Sequence, residues 1–203
     1  MMLYKGDGKT EEQALAKGLE EANAAVAEVL YRTTETASGL LKKTKYEVEV
    51  VTVQDVKDEI ASFLNTFAHL MNLKISNQVE EEDHIFKVYL DSDNNSILIG
   101  KDGKTMKSIQ VLIRQMLLSK THMNIKVNVD VSGYKEKKLK QIENMVRRVA
   151  NEVIQTKIEA KLDSMNSYER RFVHNIIGEY TMLETHSVGE EPDRCVLISY
   201  KQD

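Results

Sequence analysis

This 203-residue chain contains one cysteine and one proline. Cys195 has no partner with which to close an internal disulfide, which suits a reducing, cytoplasmic compartment. No apolar run approaches the roughly 20 residues needed to cross a bilayer, so no membrane insertion is expected. The opening stretch, MMLYKGDGKTEEQ, has no apolar signal core and turns acidic at once. Metal-ligand spacing is missing too: His69, His84, His122, His174 and His186 are scattered, and no HExxH occurs. Carboxylates are plentiful, but no pair is marked for catalysis. Cys195 lies in an apolar strand pattern that suits a core position better than a nucleophile. These absences leave no catalytic residue, metal or cofactor to assign, and they point away from an enzyme.

What is present is a chain able to bury a core under a heavily solvated surface: 41% of residues are hydrophobic and 30% charged. The length allows one large domain or two to three small ones. Net charge is −4, which as an average argues against nucleic acid. The charge is segregated, however. Acid gathers at Glu80, Glu81, Glu82, Asp83, Asp91 and Asp93. Base gathers at Lys101, Lys104, Lys107, Arg114 and Lys120, and again from Lys135 to Arg148. Nucleic acid responds to such local potential more than to the total, although ordinary solvated helix faces would give the same pattern.

Periodicity divides the chain into three small α/β modules in tandem, an α+β class. Residues 1–52 read as a βαββ unit. Thr10 and Gln13 form a capping box ahead of a helix carrying Ala14, Leu15, Leu19 and Ala22 on one face. "VAEVLYRTT" and "KYEVEVVTV" alternate as strands, with "ETASGLLKK" between them and Gly39 as the turn. The second module covers 53–133. Its first helix begins at Asp55 and carries Val56, Ile60, Phe63, Leu64, Phe67 and Met71 at helical spacing. Two strands follow, joined by an acidic turn at Glu80–Asp83. A short helix breaks at Gly100, and Gly103 precedes a longer one with Met106, Ile109, Ile113, Met116 and Leu117 inward. "NIKVNVDVSGY" closes the unit as a strand. The third module, 134–203, starts with a basic amphipathic helix from Tyr134 to about Ile154. A strand at "KIEAKLDSM" follows, then a helix capped by Asn166 or Ser167, then two strands joined by "GEEPD".

"GKDGKT", Gly100 to Thr105, suggests two kinds of phosphate-gripping loop. A nucleotide hydrolase needs Gly, four residues, then Gly-Lys-Ser/Thr. Counting back from Gly103 places Leu98 where that glycine must stand, so the hydrolase reading fails. The alternative is the Gly-x-x-Gly clamp of a KH module. The order α-β-β-α-loop-α-β resembles the bacterial, type II KH fold. Two glycines let a nucleic-acid backbone approach without a Cβ in the way. The following helix offers its N-terminal amides to phosphate, and Lys101 and Lys104 add charge. Ile97, Ile99 and residues of the strand "HIFKVYL" are expected to line a groove for about four bases. Asp102, between the glycines, opposes phosphate contact.

"ERRFVHNII" places Arg170 and His174 four apart, on one helix face. A structural histidine would give that spacing as well. With "ETHSVGEEPDRCVLISYK" downstream, the stretch resembles the Arg-x-x-x-His module of single-strand nucleic-acid-binding proteins. Taken in order, "ILIGKDGKTMKSIQ", "VNVDVSGYKEKK", "SMNSYERRFVHNII" and "THSVGEEPDR" resemble the bacterial Jag family, the SpoIIIJ-associated proteins. The N-terminal unit resembles that family's Jag-N domain more loosely, through "GKTEEQALAKGLEE". The family's "GFLG" is here "SGLLKK", and its long charged linker is missing.

The resemblance implies a cytoplasmic protein that binds single-stranded RNA and regulates cell elongation or division. It implies a gene neighbour encoding a YidC-type membrane insertase, and pairing with a small single-KH protein. By motif, Gly100, Lys101, Asp102, Gly103 and Lys104 would form the clamp, while Arg170 and His174, with Arg194 nearby, would form a second nucleic-acid contact. A second reading is a protein-interaction adaptor that uses KH surfaces to dock partners or to form a homodimer.

Overall fold

The computed structural model describes residues 1–38 and 43–201. These form two compact units, Met1–Ser132 and Gly133–Asp203. Three small sheets follow one another along the chain, each of three strands and each with helices against it. The architecture is the α+β tandem expected from the periodicity.

The first sheet has strands β1 (Tyr4–Gly8), β2 (Val29–Ser38) and β3 (Lys43–Thr52) in the order β1-β3-β2. Helix α1 (Glu11–Ala22) packs on it. Thr10 caps this helix by accepting from the amide of Gln13, 3.3 Å away. Gln13 reaches back one residue further than a capping box requires and accepts from Lys9 N instead of Thr10 N. Ala14 and Gly18 are buried; Leu15, Leu19 and Ala22 are half-buried around them. Close approach explains Gly18, since a Cβ there would stand 2.8 Å from a Val50 methyl. Two boundaries differ from expectation. Val26–Glu28 form a 3₁₀ turn, not the start of a strand. The pairing of β2 with β3 runs on to Ser38 and Lys43, so most of "ETASGLLKK" is strand. Gly39, the expected turn, lies outside the described residues.

No linker separates this sheet from the next helix. Thr52 ends β3 and caps α2 (Val53–Met71), its hydroxyl accepting from Asp55 N at 3.0 Å. The helix therefore begins two residues before Asp55, whose carboxylate takes the Thr52 hydroxyl proton in a hydrogen bond in return. Val56, Ile60, Leu64 and Ala68 are buried, Phe63 and Phe67 are half-buried, and Met71 is exposed rather than inward.

The second sheet consists of β4 (Ile75–Glu82), β5 (Ile85–Ser92) and β6 (Lys126–Val131), in that order. Glu80, Glu81 and Glu82 belong to β4, not to the turn. Asp83 and His84 alone turn the chain, with φ of 52° and 60°, the left-handed pair that matches strand twist in a two-residue hairpin. β5 pairs antiparallel with β4 and parallel with β6. Between β5 and β6 run α3 (Asn95–Ile99), a 3₁₀ turn at Lys101–Gly103 and α4 (Lys104–Thr121). Phe86, Val88 and Leu90 of β5 are buried, as are Met106, Ile109, Ile113 and Leu117 of α4.

In the second unit α5 (Tyr134–Thr156) and α6 (Ser167–Ile177) pack on β7 (Ala160–Lys161), β8 (Leu183–Val188) and β9 (Cys195–Tyr200), ordered β7-β9-β8. The strand expected at "KIEAKLDSM" shrinks to two residues. Asn166 is the cap of α6; its side chain accepts from Tyr168 N and Glu169 N, and Glu169 accepts from Asn166 N. Ile142, Val146, Val173, Ile176, Val196 and Ile198 form the core of this unit.

Candidate nucleic-acid interface

The loop between α3 and α4 is fixed by two glycines with different tasks. Gly100 has φ 67° and ψ −178°, a conformation open in practice only to glycine. A Cβ there would overlap the Thr105 hydroxyl and come within 2.8 Å of Thr105 Cβ. Gly103 is buried, left-handed at φ 75° and ψ 15°, and stands as the N-cap of α4. Its amide donates to Gly100 O at 3.3 Å, closing the turn. Asp102 is left-handed as well, at φ 51°, a region aspartate tolerates better than most residues.

This turn holds Lys101 and Asp102 out to solvent, and Lys104 and Lys107 are exposed on the first turns of α4. None of the three ammonium groups makes an ion pair or hydrogen bond among the described residues. Ile97 is 42% exposed and Ile99 half-buried, which leaves apolar surface directly before the turn; Leu98 between them faces the core. The inward side chains of β5 are not part of that surface. Phe86 and Val88 are fully buried and β5 is the central strand, so they serve the core instead of a groove wall.

The second cluster lies at the start of α6. Arg170 is only 7% exposed. Its Nη1 donates to Met165 O at 2.7 Å and meets Glu191 Oε1 at 2.8 Å. Met165 N in turn donates to Arg194 O at 3.1 Å. Arg194 is half-exposed, yet its Nε is buried without a hydrogen-bond partner among the described residues. His174, one turn beyond Arg170, is held at both ring nitrogens: Nδ1 lies 2.6 Å from Thr185 Oγ1 and Nε2 lies 2.9 Å from Ser187 Oγ. The helix spacing brought Arg170 and His174 to one side, but each is already engaged with its own partner.

Burial pushes the His174 pKa down, and the positive charge of Arg170 and the neighbouring His186 push the same way. The unfolded chain therefore binds the proton first as pH falls below the usual histidine value, near 6.5. Stability of this unit is expected to decline as pH drops from about 6.5 toward the lowered folded value. Carboxylates titrate lower, near 4. Melting by circular dichroism between pH 7.5 and 5.5 should show this decline in the wild type. His174→Asn should melt lower and decline less steeply over the same window; a wild type no steeper than the variant would refute the account.

Thr185, Ser187 and Glu191 were not singled out by sequence reasoning. For the first two a signal existed, since residues two apart on a strand share a face. Glu191 meets Arg170 across the fold, and no local pattern marks it.

Comparison with known proteins bears on both clusters. Residues 57–131 match the KhpA/KhpB KH domain, and residues 140–200 match the domain family named for its Arg-x-x-x-His motif. The RNA-binding protein KhpB of Clostridium symbiosum is 31% identical, over 96% of this chain and 90% of the relative. The chain belongs to the KhpB/Jag family. The RNA-binding protein KhpB of Bacillus subtilis (strain 168) is 25% identical over 96% of this chain and 97% of its own length. A Streptococcus pneumoniae KhpB is 23% identical over 79% of this chain, which corresponds to 47% of that longer protein. In KhpB/Jag terms, the Gly100–Gly103 turn lies within the KH match and the Arg170 cluster within the Arg-x-x-x-His match. Among the described residues no group of His, Cys, Asp and Glu could hold a metal, and no helix is long and apolar enough to cross a membrane.

Proposed function

We propose that this protein binds single-stranded RNA at two faces, one on the Gly100–Gly103 turn and one around Arg170, His174 and Arg194. The observation that carries the reading is the turn itself. A glycine-fixed loop carries Lys101 and Lys104, unpaired among the described residues, with exposed Ile97 beside it. Phosphates would meet the lysines and the N-terminal end of α4, and bases would lie against Ile97 and Ile99. His174, neutral and held at both nitrogens, would position β8 and offer at most its ring, while Arg194 supplies charge. Two modest sites on one chain raise the effective affinity through local concentration. The module boundaries near 53 and 133 belong to this reading, as do a cytoplasmic setting and a regulatory role in cell elongation or division.

The test is titration of a labelled single-stranded RNA by fluorescence anisotropy over a range of salt. Each phosphate contact adds about 0.7 to the slope of log affinity against log salt. Binding without salt dependence, or none at low salt, would sink the reading.

An adaptor role has one observation of its own. Val111, Leu112 and Leu118 of α4 are exposed, at 52%, 51% and 40%. That apolar face suits pairing with a second KH module, in a homodimer or with a small single-KH protein. Light scattering of the protein alone and with such a partner decides it; a strict monomer in both would remove it.

A further inference from the structure

The guanidinium of Arg170 is already occupied by a carboxylate of the same chain. Its side chain is 9% exposed, whereas that of Glu191 is 60% exposed, so the carboxylate stands on the outer side of a buried cation. We propose that Glu191 is a built-in competitor for the oxyanion bound here, so that an RNA phosphodiester must displace its carboxylate to reach Arg170. The inference rests on the RNA-binding reading above and names the residue that sets the strength of its second site.

Arg170 does not lose its proton, and a buried unpaired cation costs several kcal/mol. Glu191 supplies the missing charge when no ligand is present. A carboxylate and a phosphodiester both offer oxyanions to a guanidinium in the same fork geometry. Either oxyanion satisfies the same buried cation, so exchanging one for the other is close to neutral. RNA adds counterion release, which Glu191 lacks, and this tips the exchange toward RNA at low salt.

The loop is built for such an exchange. Asp193 N donates to Glu190 O at 2.9 Å, and Met165 N holds Arg194 O. Both anchors are main-chain bonds, so Glu191 can swing away by side-chain rotation alone. Arg194, on the same loop, supplies an independent observation. Its buried Nε lacks an acceptor among the described residues, which leaves a donor for an incoming oxyanion to satisfy. The Met165 residue links the two arginines, its carbonyl to the Arg170 guanidinium and its amide to the Arg194 main chain.

The experiment titrates a labelled oligouridine with the full chain and with Glu191→Gln, Glu190→Gln and Arg194→Ala, at low and moderate salt. Glu191→Gln is expected to bind several-fold tighter at low salt, because the buried cation then has no carboxylate to give up. Glu190→Gln makes the same charge change one residue away and should move affinity by less. Arg194→Ala should weaken binding. Equal gains from both glutamine variants would reduce the effect to general electrostatics and overturn the proposal. Unchanged or weaker binding by Glu191→Gln, with Arg194→Ala impaired, would leave the face an RNA contact and make Glu191 a structural bracket. If neither variant changes binding, the RNA-contact reading of this face falls and the competitor with it.

Discussion

Lys101→Asp is expected to lower affinity for single-stranded RNA by about tenfold or more at low salt. The substitution reverses a charge on an exposed side chain whose ammonium has no partner among the described residues. It also places two carboxylates side by side between the glycines, since Asp102 is already there. The loss has two parts: a phosphate contact disappears, and a like charge faces the polymer where that contact was. The salt slope should fall by about 0.7 for the contact removed. Folding should be spared, because surface changes away from special geometry usually stay within about 0.5 kcal/mol. Equal binding by wild type and variant, with matched melting curves, would show that the turn does not read RNA.

Gly100→Ala tests the scaffold of the same turn. The conformation at φ 67° and ψ −178° costs a non-glycine residue about 1–3 kcal/mol. The new methyl would also overlap the Thr105 hydroxyl and stand 3.0 Å from Thr105 N. The hydroxyl can rotate; the amide belongs to the first turn of α4 and cannot move alone. The melting transition of the first unit should fall by about 5 °C or more. Gly103→Ala, in the ordinary left-handed region, should cost less, about 1–2 kcal/mol. If the two variants melt together near the wild type, the close approach of Gly100 to Thr105 is not what holds the turn.

Much of this architecture could be read from apolar spacing. The strong helical repeats of α2, α4 and α5 and the alternation of β6 each had a single interpretation, and most of their inward residues are buried. The errors cluster where local chemistry and long-range pairing compete. Glu80–Glu82 read as a turn because acid is rare in strands, but eight cross-strand pairs between β4 and β5 carry them into the ladder. Met71 follows the helical repeat yet is the last residue of α2, so it stays exposed. "KIEAKLDSM" has strand-like alternation, but only Ala160 and Lys161 pair in the ladder, against Ile198 and Leu197. At the candidate sites, residue types announced the glycine turn and the Arg170–His174 spacing. What those side chains touch depends on β8 and on the loop before β9, which no local pattern encodes.

The parallel pairing of β5 with β6 bears on the order of events in folding. β4 and β5 are joined by two residues and can zip together as soon as they are made, a process of microseconds for a hairpin. β6 pairs with β5 only after α3, the glycine turn and α4 have spanned the gap from Ser92 to Lys126. The turn is thus enclosed by the longest-range pairing of its sheet: its own shape is local, but α4 beyond it is seated only when β6 is in place. Until β6 docks, Lys101 and Lys104 sit beside a helix that has no strand to pack against. On a nascent chain, competence to grip a phosphate backbone would arrive late and all at once, with the last strand of the sheet.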